Sequence, residues 1–215
     1  MKPLIVLCSG LPSAGKSSFA DAIEKSSLAL THVPMDRYIM PVPSGETFLR
    51  WVREPSCVDW GLIVSHLKVL FSGRVCFTPK PDWERAGQRL SKGGPIEHGP
   101  GRRMAPSEHG YIIPGTHVFS LPKLGCRRIA VYVDTPDAII ASRLRGAPIG
   151  LEMADEVLRD YLNDNPAPIR PLRACADLMI DGVQPHEQQV DALRAFIETL
   201  NSREPHHWWT HSDAQ

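Results

Sequence analysis

Eight consecutive residues carry the clearest chemistry in the chain. Gly10-Leu11-Pro12-Ser13-Ala14-Gly15-Lys16-Ser17 match the pattern G-x-x-x-x-G-K-[ST] in full. Glycines at both ends let the backbone curl so that its N–H groups, on through Ser18, converge on a phosphate. A helix starting at Lys16 would add the positive end of its dipole. The Lys16 ammonium can reach outer phosphates, and the Ser17 hydroxyl is an oxygen ligand suited to Mg²⁺. The expected ligand is a nucleoside triphosphate.

The flanking segments agree with that placement. Pro3-Leu4-Ile5-Val6-Leu7-Cys8 is an apolar run of buried-strand type, and Phe19, Ala22 and Ile23 follow the loop at helical spacing. Strand-like and helix-like segments then alternate. Thr31–Asp36 reads as a second strand ending on a carboxylate, and Tyr111–Ile113 and Arg128–Asp134 as a third and a fourth. Asp177–Ile180 reads as a fifth. Helical patterns cover 58–71, 137–145, 151–162 and 185–200, with Thr135-Pro136 as an N-cap and N1 pair. This alternation predicts an α/β domain with a parallel sheet wrapped by helices, over 1–200. Residues 74–109 form a hairpin-like insertion with a tip near 93–103, and 201–215 are a flexible or loosely docked tail. The tail histidines His206, His207 and His211 lack a carboxylate or cysteine at useful spacing for a metal.

Bulk properties narrow the partners. Of 215 residues, 24 are Lys or Arg and 24 are Asp or Glu, a balance that gives no global attraction to nucleic acid or an anionic membrane. Nucleic acid is an unfavoured partner on that ground, with the Arg102-Arg103 pair the one local feature in its favour. Five scattered cysteines without a C-x-x-C pair suit reduced thiols and a cytoplasmic location, and no segment has the length of a membrane span. The oligomeric state is left open.

Transfer of a phosphoryl group to a hydroxyl requires a carboxylate near the accepting oxygen and cations on the migrating group. Asp36 at the carboxyl end of a strand can orient a hydroxyl and accept its proton, or it can serve as a turn residue or cap. Arg143 and Arg145 can grip phosphate oxygens, or stand as solvated cations at a helix C-terminus. Asp59 can bind an acceptor hydroxyl, although capping the helix from Trp60 is the favoured role. Tyr38, Trp83 and His117 can flank a ring-shaped acceptor.

In order and spacing, several of these segments resemble the uridine kinase-like branch of the P-loop kinases, which includes pantothenate kinase and phosphoribulokinase relatives. The resemblance spans about 3–200. It rests on the phosphate loop, on Asp36-Arg37-Tyr38, on Glu54–Trp60, on Leu70-Phe71-Ser72-Gly73 and on Thr78–Trp83. It continues in Val131–Thr135 followed by Arg143 and Arg145, and in Ala176–Ile180. The resemblance implies a five-stranded sheet in the order 2-3-1-4-5 and an ATP- and Mg²⁺-dependent kinase for a small hydroxylated metabolite. It also implies a catalytic Asp36 and a lid over about 143–159 that delivers an arginine. One departure stands out: where the family carries Glu-Gly after the third strand, this chain reads Ile113-Pro114-Gly115-Thr116-His117. Metal binding then rests more on Ser17 and Asp36, or on a group supplied from elsewhere. Two other functions compete: a kinase for a hydroxymethylated base in DNA, and a nucleotide-binding regulator whose catalysis has decayed.

Overall fold

The computed structural model describes residues 3–46, 48–80, 99–146, 155, 158, 159 and 169–203. Five parallel strands make the main sheet: β1 (Leu4–Ser9), β2 (Thr31–His32), β5 (Tyr111–Pro114), β6 (Arg127–Asp134) and β7 (Leu178–Asp181). Their spatial order is β2-β5-β1-β6-β7. With the five counted in chain order this is the expected 2-3-1-4-5, and it puts β1 at the centre with β5 and β6 on either side.

Side chains of β1 alternate between two cores, as the twofold period of a strand requires. Val6 and Cys8 pack with Phe19 and Ile23 of α1 (Lys16–Lys25), with Ile140 and Leu144 of α4 (Asp137–Arg145) and with Leu193 of α5 (His186–Arg203). Ile5 and Leu7 pack on the opposite side with Ile63, Leu67 and Leu70 of α3 (Trp60–Phe71). The central strand is thus buried on both faces, which explains its unbroken apolar run. The result is the three-layer α/β/α arrangement of P-loop nucleotide-binding proteins, with loops at the carboxyl ends of the strands gathered along one edge.

Two segments depart from their expected form. The second strand pairs only through Thr31 and His32, and the Val33 N–H bond to Ile112 O, at 2.9 Å, is the last of its ladder. Pro34 is the N-cap of a 3₁₀ segment, Met35–Tyr38, that carries Asp36, so the chain turns away before Met35 N–H, the next donor in line, can join the ladder. The expected N-cap at Thr135 is also corrected. Pro136 occupies that position without a side-chain cap, and the Thr135 hydroxyl instead donates to Ala14 O at 2.8 Å.

The insertion is a two-stranded antiparallel hairpin, β3 (Cys76–Lys80) with β4 (Gly99–Met104), and its register shifts between Phe77 and Pro79. Arg102 and Arg103 lie in β4 rather than at a tip. The expected tip at 93–98, Asp82, Trp83, most of the lid segment and the tail beyond 203 fall outside the described residues. Among the described residues no helix is long and apolar enough to cross a membrane.

Candidate active site

The phosphate loop joins β1 to α1 and is shaped by contacts from distant parts of the chain. Gly10 takes φ +149 and runs so close to β6 that a Cβ there would sit 2.6 Å from Val133 O, a position only glycine fills. Ser13 adopts the left-handed region at φ +59, and Ala14 N–H closes the turn onto Leu11 O at 3.1 Å. Helix α1 opens at Gly15 with no side-chain cap. Its first-turn N–H groups are therefore left for an anion in the hollow of the loop, and this cradle fits a phosphate.

Three residues outside the loop hold it from behind. Thr135 donates to Ala14 O, as described. The Arg143 guanidinium donates through Nη1 to Ser13 O (3.3 Å) and Ala14 O (3.1 Å), and through Nη2 to Gly182 O (3.0 Å). Gly182 follows β7 and comes so near the loop that a Cβ would lie 2.7 Å from Ala14 O. Arg143 is thus fixed on the loop itself, which differs from the expectation of an arginine carried in by a moving segment. Arg145 points elsewhere and pairs with Asp155 at 3.7 Å; both side chains are exposed. Gly182 was not singled out from the sequence, and Thr135 only as a helix cap. A threonine directly after a strand, and a glycine after another, were the available signals.

Lys16 is buried, and its ammonium donates to Leu11 O at 2.7 Å, folded back across the loop. Burial pushes its pKa down, and the Asp36 carboxylate is the main influence holding it up. Asp36 stands in the converse position. Its side chain is open to solvent from one side. Protein crowds it from the others, so lost solvation raises its pKa, with Lys16 chiefly opposing that rise and His32 and His117 adding to the opposition. Lys16 and Asp36 are therefore near enough for each to stabilise the other's charged form. Beneath them the Cys8 thiol is buried, its pKa pushed up to about 12, which keeps it protonated and inert.

The turn bearing Asp36 is pinned to the segment leading into α3. Asp59 N–H donates to Tyr38 O (2.9 Å), and Met40 N–H to Cys57 O (2.7 Å). Next to it lies a cavity of about 600 Å³. Arg37, Tyr38, Asp59, His66, Phe77 and Thr78 supply the polar groups and rings of its lining, between the Asp36 turn, α3 and the hairpin. The Tyr38 hydroxyl and His66 Nδ1 are 2.9 Å apart. The Asp59 carboxylate accepts from Leu62 N at 2.8 Å, so it caps α3 while also facing the cavity.

His117 is placed differently from Tyr38 and Asp59. It is buried, its Nε2–H donates to Val52 O at 2.8 Å, and burial lowers its pKa, leaving a neutral ring already engaged. It does not belong to the lining of this cavity.

Pro114, at the position of the missing glutamate, ends β5. At the next residue the Met35 side chain packs close, with Sδ 2.3 Å from a Cβ built on Gly115, so that position stays a glycine. At the same edge Asp134 is paired with Arg173 at 2.9 Å. Oxygen donors beside the loop include the Ser17 hydroxyl and the Asp36 carboxylate, and the Ser17 side chain is exposed at the helix start. Hard oxygen donors of this kind fit Mg²⁺ with several water ligands retained.

No protein-family model matches the chain, and no curated protein matches its sequence. Solved structures do match in shape. One is provisionally named a fructose transport system kinase from Silicibacter sp. TM1040, with 19% identity over 83% of this chain and 89% of that one, and a TM-score of 0.52. Another is a shikimate kinase from Bacteroides thetaiotaomicron, with 15% identity over 91% and 98% of the two chains, and a TM-score of 0.50. At these identities the likeness is one of fold, that of the P-loop kinases. Two proteins named for different acceptors match about equally well, so the particular branch is not distinguished.

Proposed function

We propose that this chain transfers the terminal phosphoryl group of ATP, as its Mg²⁺ complex, to a hydroxyl on a small metabolite held in the cavity beside Asp36. The carrying observation is that the Lys16-bearing phosphate loop and the Asp36 turn, which borders a molecule-sized cavity, lie near enough for the two charges to act on each other. The uncapped start of α1 and the loop N–H groups bind the phosphates, and Lys16 swings from Leu11 O to the outer ones. Mg²⁺, when bound beside Ser17 and Asp36, neutralises charge on the phosphates. Asp36 orients the acceptor hydroxyl and takes its proton as the oxygen attacks phosphorus.

Ring-bearing acceptors, including nucleoside-like ones, suit a lining that offers Tyr38, His66 and Phe77 faces together with Asp59 and Arg37. The DNA-kinase reading keeps only Arg103 of its basic pair, because Arg102 is engaged with carboxylates of α1. Incubation with γ-labelled ATP, Mg²⁺ and a pooled metabolite extract should give a labelled small molecule. Label appearing only in DNA, or ATP bound with no transfer to any acceptor, would overturn the proposal.

Arg143 acts here through the shape of the loop. Arg143→Ala removes three charge-assisted bonds to backbone carbonyls, partly exposed and so individually modest. The expected result is roughly tenfold weaker Mg-ATP binding by calorimetry, with faster amide exchange confined to residues 10–18. Unchanged affinity together with a large fall in turnover would return Arg143 to the role of an arginine acting on the transferring group.

A further inference from the structure

We propose that Arg102 is a positioning residue that fastens the acceptor-side hairpin to the helix of the phosphate loop. Arg102 lies in β4, and its backbone N–H donates to Thr78 Oγ1 at 3.0 Å, so it ties both strands of the hairpin together. Thr78, Phe77, Pro79 and Gly101 form one wall of the cavity beside Asp36. From that wall the Arg102 side chain reaches to α1, where Nη2 makes a close ion pair with Glu24. Nη1 lies 4.0 Å from Asp21 Oδ1 and 3.2 Å from His32 Nδ1.

The receiving side is itself organised. Asp21 and Glu24 are three apart on α1 and present their carboxylates on one face. His32 is buried on β2, with Nδ1 2.8 Å from Asp21 Oδ1, and its backbone N–H donates to Glu24 Oε1 at 3.0 Å. Burial lowers the His32 pKa, so the ring is neutral and adds no positive charge beside the guanidinium. Asp21, Glu24 and His32 would also suit a divalent cation, their donor atoms lying within 4.8 Å of one another. The guanidinium already stands among them, however, and supplies the positive charge the two carboxylates need.

Helix α1 begins in the phosphate loop, so the ion pair links the two halves of the site through a short path: loop, α1, Glu24, Arg102, Thr78, cavity wall. A planar fork with fixed donor directions sets the distance of that wall better than a flexible ammonium does. Loss of the link should let the wall drift, weakening acceptor binding while leaving the phosphate cradle intact.

The structural arm of the test does not depend on the kinase reading. Hydrogen exchange would be followed in Arg102→Met and Arg102→Lys, with Glu24→Gln as a second break from the other side. In Arg102→Met, amides of Cys76–Lys80 and Gly99–Met104 should exchange roughly tenfold faster, and those of β1 and α5 at the wild-type rate. Arg102→Lys should recover part of the protection. The kinetic arm rests on the proposed function. With the acceptor found in the pooled screen, Arg102→Met should raise its KM several-fold while kcat and Mg-ATP affinity stay within about twofold.

Hairpin exchange equal to wild type in both breaking variants, or acceleration spread evenly over the whole fold, would overturn the proposal. So would stoichiometric binding of Mn²⁺ by the wild-type protein that Glu24→Gln abolishes, since the cluster would then be a metal site. A failed metabolite screen would count against the proposed function and leave the exchange result standing.

Discussion

Lys16→Ala should reduce turnover by about 10²–10³-fold or more and weaken Mg-ATP binding. The ammonium is the one cation seated inside the phosphate loop. Its burial means that any phosphate it meets is only weakly screened, which strengthens the contact relative to one in water. Holding a buried ammonium costs solvation, as the downward push on its pKa records, and Asp36 offsets part of that. Under the proposed function that charge is kept for the phosphates. Among the described residues the ammonium hydrogen-bonds to Leu11 O, a single contact, so the alanine variant should unfold at a temperature close to wild type. A thermal scan and steady-state kinetics on the same preparation separate the two effects. Near-normal turnover in a folded Lys16→Ala protein would remove the phosphate loop from the mechanism.

The loss of Lys16 has a second consequence, at Asp36. With its main opposite charge gone, the carboxyl loses the chief influence opposing its lost solvation, and its pKa climbs further. Any residual activity of Lys16→Ala should therefore have an acid limb at higher pH than the wild type has.

Much of this arrangement was legible because it is local or periodic. The phosphate loop is one continuous motif, the run Leu4–Ser9 announces a strand buried on both faces, and α4 begins and ends where its apolar spacing and Gly146 place it. Asp36 was legible as a candidate but not in its setting, since the chain leaves the ladder after Val33 and the carboxylate sits on a 3₁₀ turn. What the sequence concealed is long-range. Thr135 and Arg143 hold Ala14 across 121 and 129 residues, and Arg102 meets Glu24 across 78. No spacing rule reaches that far; such contacts exist only because the strand order brings β6 beside β1 and places the hairpin over α1. His117 illustrates the reverse error. Its type suggested an acceptor contact, yet the turn after β5 directs it inward to Val52 O, where a buried ring needs a partner more than a ligand does.

Asp36→Asn should preserve Mg-ATP binding to within a few-fold and lower the rate of transfer by about 10²–10⁴-fold, the range that general-base assistance supplies. The amide keeps the size and planarity of the carboxyl but cannot accept the hydroxyl proton, and it ligates Mg²⁺ more weakly. The pH profile distinguishes this from a merely structural loss. Burial raises the Asp36 pKa, and the base works only when ionised. Wild-type kcat/KM should therefore fall as pH drops through a limb lying above the ordinary carboxylate range. In Asp36→Asn that limb should vanish, leaving a low rate that does not respond to acid over the same interval. A variant that keeps both the rate and the limb would show the proton going elsewhere. The turn at Met35–Tyr38 would then serve only to shape the cavity, and catalysis would rest on the positioning of two substrates by Lys16 and the loop.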